Sequence, residues 1–577
     1  MLSGEAYMLV LGIHDGHDAG ACLLQDGKLL LHSSEERRLN KKNWAGVPEQ
    51  SLKELFRRTG ASPRDVDLIA LGSLLRTTFP TRGHKPVYSV LNFLSWAGRS
   101  HLGTKFGRWL LSKLRKREEL MKCLESMGMG DKRIVPFDHH LSHAATAYYF
   151  RPWDGPATVL TLDGAGDGLC ATVNKAEGAN INVISQTSKY NSPAGWMYSS
   201  LTAHLGMRPY EHEYKLMGMA PYGDPDFIGD GHSESCADVL RRSFGVEGLE
   251  FRNKTGHIAS GIQAYYAKHL YARRFDNVSA GCQLVFEEMM LKWVKNAIAA
   301  TGVRKVATAG GAFLNVKANK LIREMPEVEA IYTFPASDDG GTPIGAAVLG
   351  YVQLCKEKGV EPQFDLPKDM YMGFGFEDDD CEKAAKASGL PYRKMANVAD
   401  EAAELLTQGK ILGRFSGREE VGPRALGNRS LLADARDLRV IRKLNFAIKQ
   451  RDFWMPFAAS VLEEDGPRYI KNLSTWAYYM IEAFDTTPEG FTDLVAGTHP
   501  FDQTIRPQLV NDLNPAYRDL LKAFKARTGV GGLLNTSFNL HGSPIVGTPE
   551  IALDTLVKSE LDAVVLGSYL VTKPAKA

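Results

Sequence analysis

Residues 411–430 (ILGRFSGREEVGPRALGNRS) bring together Arg414, Arg418, Arg424 and Arg429 with glycines and a proline at turn positions. A guanidinium is a rigid fork of donors matched to phosphate oxygens, and glycine lets a backbone come close to an anion. Far downstream, Asn535-Thr536-Ser537-Phe538-Asn539 is placed to close over the same ligand. Together they read as phosphate and nucleotide handling. A second chemistry is written in FDHHLSHAATAYYF, with His139, His140 and His143. If Asp138 caps a helix, His139 and His143 share one face, a common way to hold a transition metal. Surface histidines recur at that spacing by chance, so the metal reading needs carboxylates as well. Strand-end turns supply them: Asp163 and Asp167, then Asp338 and Asp339. Two neutral imidazoles with one or two carboxylates suit Fe(II) or Mn(II), less often zinc. Such a metal acts as a Lewis acid rather than necessarily as a redox centre.

The elements that must position these groups are legible as alternating strands and turns. MLVLGI at 8–13, a turn HDGHDAG, ACLLQ, the turn Asp26-Gly27 and KLLLHS read as a β-meander. TVLTLD at 158–163, DGAGDG and LCATV repeat the idea, and a further strand ends in Gly310-Gly311. Two strand–acidic turn–strand units predict a duplicated α/β core of the kind found in actin-like and sugar-kinase-like ATPases, with the turns facing across a cleft. Helical periodicity marks 50–60, 105–128, 261–300, 398–408 and 513–527. Pro, Gly and acidic residues at 361–380 place a domain boundary near 370. The basic amphipathic stretch at 101–122 is expected to be a solvated helix rather than a partner or membrane contact.

A chain of 577 residues exceeds one ordinary core, so two or three domains are expected. Hydrophobic content of 44% and charged content of 24% are those of a soluble globular protein. A net charge of +2 gives no electrostatic case for nucleic acid. Seven dispersed cysteines without a CxxC pair fit a reducing cytoplasm and oppose a disulfide framework or a cysteine zinc site. The start lacks a basic segment before its apolar run, and no window is long and apolar enough for a membrane helix. The expectation is cytoplasmic, with no membrane and no nucleic-acid partner.

Ordered segments along nearly the whole chain resemble the NodU/CmcH-type O-carbamoyltransferases, which act on nodulation factors, cephalosporins and aminoglycosides. They are GHDAGACLLQDGKLL (16–30), SSEERRLNKK (33–42), DHHLSHAATAYY (138–149), EYKLMGMAPYG (213–223) and GGAFLN (310–315). DDGGTPIGAA (338–347), GREEVGPRALGNRS (417–430), IRPQ (505–508) and LLNTSFNLHGSPIV (533–546) continue the series. The resemblance implies an actin-like (ASKHA-type) domain over 1–370 and a second α/β domain over 371–577 resembling threonylcarbamoyl-AMP synthase (YrdC-like). The second domain would join carbamoyl phosphate to Mg-ATP as carbamoyl adenylate. The first would pass the carbamoyl group to a hydroxyl of a small natural-product or sugar-like acceptor.

Carried over residue by residue, the metal ligands are His139, His143, Asp163 and Asp339, with Asp338 the fallback, and the metal is Fe(II) or another divalent ion such as Mn or Zn. Gly311 and Asn315 would hold the adenylate. His17, Lys42 and Glu213 would border the acceptor, with His17, Asp163 and Asp339 in the catalytic roles. Arg424, Lys449 and Arg506 would bind ATP and carbamoyl phosphate, and Asn535, Ser537 and Asn539 would cradle phosphates. One departure stands out: KQRDFWMPFAAS has Met455 where the family carries an arginine, so Arg451 or Arg429 is expected to substitute.

Charge arithmetic agrees, since the two substrates bring about six negative charges that need several fixed cations. Any single arginine also fits a surface salt bridge, but Arg424, between Pro423 and Ala425-Leu426, needs an anionic partner if buried. His17 stands where a base could take the acceptor's proton. Because carbamoyl adenylate hydrolyses readily, a closed route between the sites is expected. The competing readings are a threonylcarbamoyl-type tRNA-modifying enzyme, which the balanced charge opposes, and a non-enzymatic ATP-binding module or a sugar kinase, which leave the histidine pair or the second domain unexplained. Trp44, Tyr190, Trp196 and Tyr210 are candidate acceptor-pocket walls, each as readily ordinary core. Oligomeric state is open, with a homodimer as one expectation.

Overall fold

A computed structural model describes residues 7–74, 117–229, 231–449, 451–473 and 476–574. Most of the basic stretch at 101–122 lies outside the described residues; its last part enters the helix Glu118–Ser126.

Two five-stranded sheets repeat one plan. In the first, β1 (Leu9–His14), β2 (Gly20–Gln25) and β3 (Lys28–Ser34) form an antiparallel meander. Then β4 (Leu68–Leu71) and β5 (Ile134–Pro136) add in parallel beside β1, giving the order β3-β2-β1-β4-β5. In the second, β6 (Ala157–Gly166), β7 (Leu169–Glu177) and β8 (Asn180–Ser188) form the meander. A small hairpin follows, β9 (Phe244–Glu247) with β10 (Glu250–Asn253). Then β11 (Lys305–Ala309) and β12 (Ala330–Thr333) complete the order β12-β11-β6-β7-β8 in the same sense. Each sheet has a hairpin closed by two residues, Asp26-Gly27 (φ 48° and 79°) in one and Asp167-Gly168 (φ 50° and 88°) in the other. Positive φ at both positions matches the twist of the flanking strands and selects Asp-Gly.

The helix Thr342–Lys358 is held against both β1 and the helix His139–Tyr149 by missing side chains. A Cβ on Gly12 would strike the Pro343 carbonyl, and one on Gly345 would strike the Ser142 carbonyl. Helical periodicity predicted one helix over 261–300; the structure breaks it into Ser260–His269 and Phe275–Thr301, with Ala272 between them at φ 56°.

Residues beyond the second sheet build an eight-stranded mixed sheet, ordered β13-β22-β21-β14-β15-β20-β16-β19. Its strands are β13 (Tyr392–Lys394), β14 (Leu412–Phe415), β15 (Arg429–Ala433), β16 (Ala458–Leu462), β19 (Gln508–Val510), β20 (Gly532–Ser537), β21 (Ala563–Leu566) and β22 (Tyr569–Thr572). A short pair, β17 (Phe484–Asp485) with β18 (Thr504–Ile505), stands apart.

This sheet and the first two are packed together. Phe334 and Ala336 share one apolar cluster with Val421, Leu426, Ala458 and Met480. Arg38 pairs with Glu419 at 2.5 Å, both side chains at most 5% exposed, and Arg37 donates to the Glu420 and Gly422 carbonyls. Asn319 donates to the Ile481 carbonyl at 2.7 Å. Two of the four arginines singled out above serve this packing. Arg418 donates to the Gly373, Met372 and Leu30 carbonyls. Fully buried Arg429 donates to Ser416, Gly417, Asn428 and Phe374 carbonyls and stacks on Phe415, so it is not available to replace the arginine missing at Met455.

Removing one member of a buried pair leaves an uncompensated charge, at a cost of about 3–5 kcal/mol. Glu419→Gln should therefore lower unfolding free energy by about 3 kcal/mol in denaturant titration. Burial works against the Glu419 charge, but Arg38, Arg37 and Arg429 outweigh it and hold its carboxyl below the ordinary range. The contribution is thus present at neutral pH and lost on acidification, and the wild type and variant should converge in stability at low pH.

Candidate functional site

Asp138 accepts from Leu141 N at 3.1 Å and starts the helix His139–Tyr149, which sets the Nε2 atoms of His139 and His143 3.1 Å apart. Asp163 near the end of β6 and Asp339 in the turn before the helix Thr342–Lys358 complete a four-residue cluster whose ligand atoms all lie within 4.8 Å of one another. His139 Nε2 is 3.3 Å from Asp163 Oδ2 and 3.3 Å from Asp339 Oδ1; His143 Nε2 is 4.0 and 3.5 Å from the same oxygens. Gly166 is required beside it, since a Cβ there would run into the His139 ring.

The donor set fits a divalent metal: two imidazoles and two carboxylates converge on one point, and Asp339 Oδ1 is buried without a hydrogen-bond partner among the described residues. Asp339 takes the place in the cluster and Asp338 does not. Asp167, the other acid of the β6 turn, accepts from His139 N and Leu74 N, both at 2.8 Å, and so positions the helix. His140 points to Thr161 Oγ1 at 2.9 Å, and burial drives its imidazole down to about 3. The Gly311 amide donates to Asp163 Oδ1 at 3.2 Å, fixing the oxygen that faces away from the histidines.

The other residues expected in the first part of the chain have the following partners. His17 Nδ1 is 2.9 Å from Asp18 Oδ2. Burial opposes its charge, yet Asp18, Asp339 and Asp163 raise the imidazole to about 10. Asp338 is pushed up to about 8 by burial and by Asp18, Asp339 and Glu36. Lys42 is 3.7 Å from Glu211. Glu213 accepts from Ser199 Oγ and Tyr210 N, both at 2.6 Å, and so shapes its own loop. Asn315 caps the helix Val316–Arg323 through Ala318 N and exchanges amide hydrogen bonds with Gln283. Trp196 donates to the Lys189 carbonyl, whereas Tyr210 is 46% exposed.

The second group is cationic. Lys449 Nζ donates to the Ser537 carbonyl, to Ser537 Oγ and to Asn539 Oδ1, joining the two halves of the predicted phosphate cradle. Arg451 donates to Asn445 Oδ1 at 3.0 Å and to the Met455 and Pro456 carbonyls, so its guanidinium lies against the very position that lacks the family's arginine. Arg424 and Arg506 make no hydrogen bond or ion pair among the described residues, and none of the four pairs with a carboxylate there. Burial lowers all four; Arg424 falls to about 10, with Asp338 and Tyr214 opposing. Arg424 and Arg451 press Arg506 down further, and Arg451 and Lys42 do so for Lys449. Asn535 sits behind this group, its amide donating to the Ala425 carbonyl, Ser460 Oγ and Gln508 Oε1.

Residues the sequence reading missed also enter. Glu420, fully buried, accepts from the amides of Leu426, Asn428 and Arg429 at 2.8, 2.7 and 3.1 Å and so shapes the loop that carries Arg424. His14 faces the cluster from β1, with Nε2 3.6 Å from Asp339 Oδ2.

Comparison with known proteins gives the family. Residues 9–348 match the family model for the carbamoyltransferase N-terminus and residues 403–573 that for the carbamoyltransferase C-terminus. The chain therefore belongs to the carbamoyltransferase family and is a carbamoyltransferase. It is 31% identical to an uncharacterized protein of Synechocystis sp. over 97% of this chain and 96% of that one. It is 28% identical to nodulation protein NolNO of Sinorhizobium fredii over 96% of this chain and 79% of that one. Among solved structures, full-length HypF in its phosphate- and nucleotide-bound form aligns over 60% of this chain and 55% of that one, with 13% identity and a TM-score of 0.35. Among the described residues no helix is long and apolar enough to cross a membrane.

Burial opposes a charge on His139, but Asp339 and Asp163 hold its imidazole well above the ordinary range. The imidazole thus holds its proton more tightly than an ordinary histidine, and an entering metal would have to displace that proton. Metal binding should release a proton and tighten as pH rises. Calorimetry in buffers of different ionisation enthalpy reads this directly, and a buffer-independent heat would contradict it.

Proposed function

We propose that the chain is an ATP-dependent O-carbamoyltransferase working in two steps. The observation that carries this reading is the group of four neighbouring cations, Arg424, Lys449, Arg451 and Arg506, of which Lys449 is buried and the three arginines are half-buried, with no carboxylate partner among the described residues. Buried charges of one sign need counter-ions, and phosphate oxygens supply them in numbers no single carboxylate could. Residues 371–577 would be the YrdC-like, adenylate-forming domain and residues 1–370 the actin-like (ASKHA-type) transfer domain; the repeated sheet plan supports the second assignment.

In the first step the four cations orient carbamoyl phosphate against Mg-ATP and spread the developing charge, with Ser537 and Asn539 fixing the Lys449 ammonium. Carbamoyl phosphate, ATP and one water give carbamoyl adenylate, phosphate and pyrophosphate. In the second step the acceptor hydroxyl attacks the carbamoyl carbon, AMP leaves, and the hydroxyl proton departs to a nearby base. His139, His143, Asp163 and Asp339 would hold the divalent metal, Fe(II) or a relative, whose contribution when bound is to polarise the carbamoyl carbonyl. Gly311 and Asn315 would border the adenylate. His17, Lys42 and Glu213 would line the acceptor side, where His17 with Asp18 is the base nearest to hand once bound metal offsets the carboxylates that raise it. The acceptor is a small hydroxylated molecule, and no nucleic-acid partner is invoked.

Pyrophosphate release should require carbamoyl phosphate, and Arg424→Ala should lower it by a factor on the order of 10²–10³ while leaving the thermal transition near that of the wild type. Release of ADP without dependence on carbamoyl phosphate would instead mark a kinase or motor. A screen of hydroxylated acceptors, scored by the mass gain of one carbamoyl group, then identifies the substrate class.

A further inference from the structure

Asp339 presents its two oxygens to different neighbours. Oδ1 faces His139 and His143 at 3.3 and 3.5 Å, on the side where a metal would sit. Oδ2 faces His14 Nε2 at 3.6 Å. His14 has no exposed surface, and neither of its ring nitrogens has a hydrogen-bond partner among the described residues. A buried imidazole left unsatisfied on both edges is costly unless a state of the protein uses it. Its placement is forced by β1. Gly12 and His14 lie on one face of that strand, and Gly12 is packed so closely on Pro343 and Ala347 that no side chain fits there. The same face therefore brings His14 to the turn that carries Asp339.

The other carboxylate of the cluster shows what such a contact does. Asp163 turns Oδ2 toward the histidines while its Oδ1 accepts from the Gly311 amide at 3.2 Å. Asp339 lacks an amide donor of that kind, and the Nδ1 atoms of His139 and His143 are buried without hydrogen-bond partners among the described residues. Among the described residues, His14 is the side chain recorded closest to Asp339 Oδ2.

We propose that His14 is a positioning residue for the metal centre: its Nε2–H closes onto Asp339 Oδ2 and holds Oδ1 toward the metal. This rests on the metal reading of the cluster. The gap of 3.6 Å is slightly too long for a hydrogen bond and closes with a shift of a few tenths of an ångström. Donors of this outer kind commonly govern metal affinity by about 10- to 100-fold.

The test uses the full chain, stripped of metal and titrated with Co(II) against a chromophoric chelator, with the Co(II) visible spectrum recorded alongside. His14→Leu removes the donor at similar volume, His14→Asn carries its amide too short to reach Oδ2, and His14→Gln returns a donor near the Nε2 position. Affinity should fall about 10- to 100-fold in His14→Leu and in His14→Asn and recover to within about threefold in His14→Gln, with the wild-type spectrum restored. Wild-type affinity in His14→Leu overturns the role. Should His14→Leu fail to fold, wild-type affinity in His14→Asn overturns it equally. An equal loss in His14→Gln overturns it in favour of direct coordination or general packing. Failure of the wild type itself to bind Co(II) would sink the metal reading beneath it, an outcome distinct from any difference among the variants.

Discussion

Four neighbouring cations, Lys449 buried and three arginines half-buried, without a carboxylate partner among the described residues are the constraint on which the rest of this molecule turns. Arg424, Lys449, Arg451 and Arg506 are each depressed by burial, and neighbouring cations depress Lys449 and Arg506 further. Such a group opposes folding, so the surrounding scaffold must hold it in place by other means. Neutral groups hold two of them, Ser537 and Asn539 on Lys449 and the Met455 and Pro456 carbonyls on Arg451, while the Glu420 carboxylate accepts from three amides of the loop that bears Arg424. None of these contacts cancels the charge. The field stays available for an anion, which is what preorganised electrostatic stabilisation requires.

Holding that field near the histidine–carboxylate cluster takes close packing of the third sheet on the first two. The apolar cluster that joins Phe334 and Ala336 to Val421, Leu426 and Met480 supplies the area, and the arginines supply the register. Arg37, Arg38 and Arg418 span this region, and all but Arg38 do so chiefly through backbone carbonyls. A carbonyl accepts from a guanidinium at a fixed angle without demanding a second buried charge, so these side chains set orientation at modest electrostatic cost.

The parts legible in the sequence were those with a local signature. Asp26-Gly27 gave its hairpin away through turn chemistry, the second hairpin was legible only as the wider DGAGDG turn because β6 runs on to Gly166, and His139 with His143 was readable because a cap and a helical spacing coincide. Arginine type alone could not separate Arg424, which meets no partner among the described residues, from Arg429, which is spent on carbonyls; that distinction is made by elements far apart in the chain. Positive φ at Ala272 left no mark in the apolar periodicity, so a helix break was missed. His14 carries no spacing signal at all. It matters because Gly12 lets β1 lie against the helix that follows Asp339, a contact no window of sequence contains.

The two charged groups meet at Arg424 and Asp338, and their opposite signs limit the order of events in the proposed reaction. Asp338 is raised to about 8 by burial together with Asp18, Asp339 and Glu36, so this corner already carries more negative charge than it can hold. An anionic adenylate leaving the cations would enter a region of carboxylates and be repelled. His139, His143, Asp163 and Asp339 would hold a divalent cation whose charge would offset that field and lower both Asp338 and His17, since both are raised by Asp339. Metal occupancy is on this argument a condition for delivery of the intermediate as well as for its chemistry, which makes the rigidity of the Asp339 carboxylate a determinant of both.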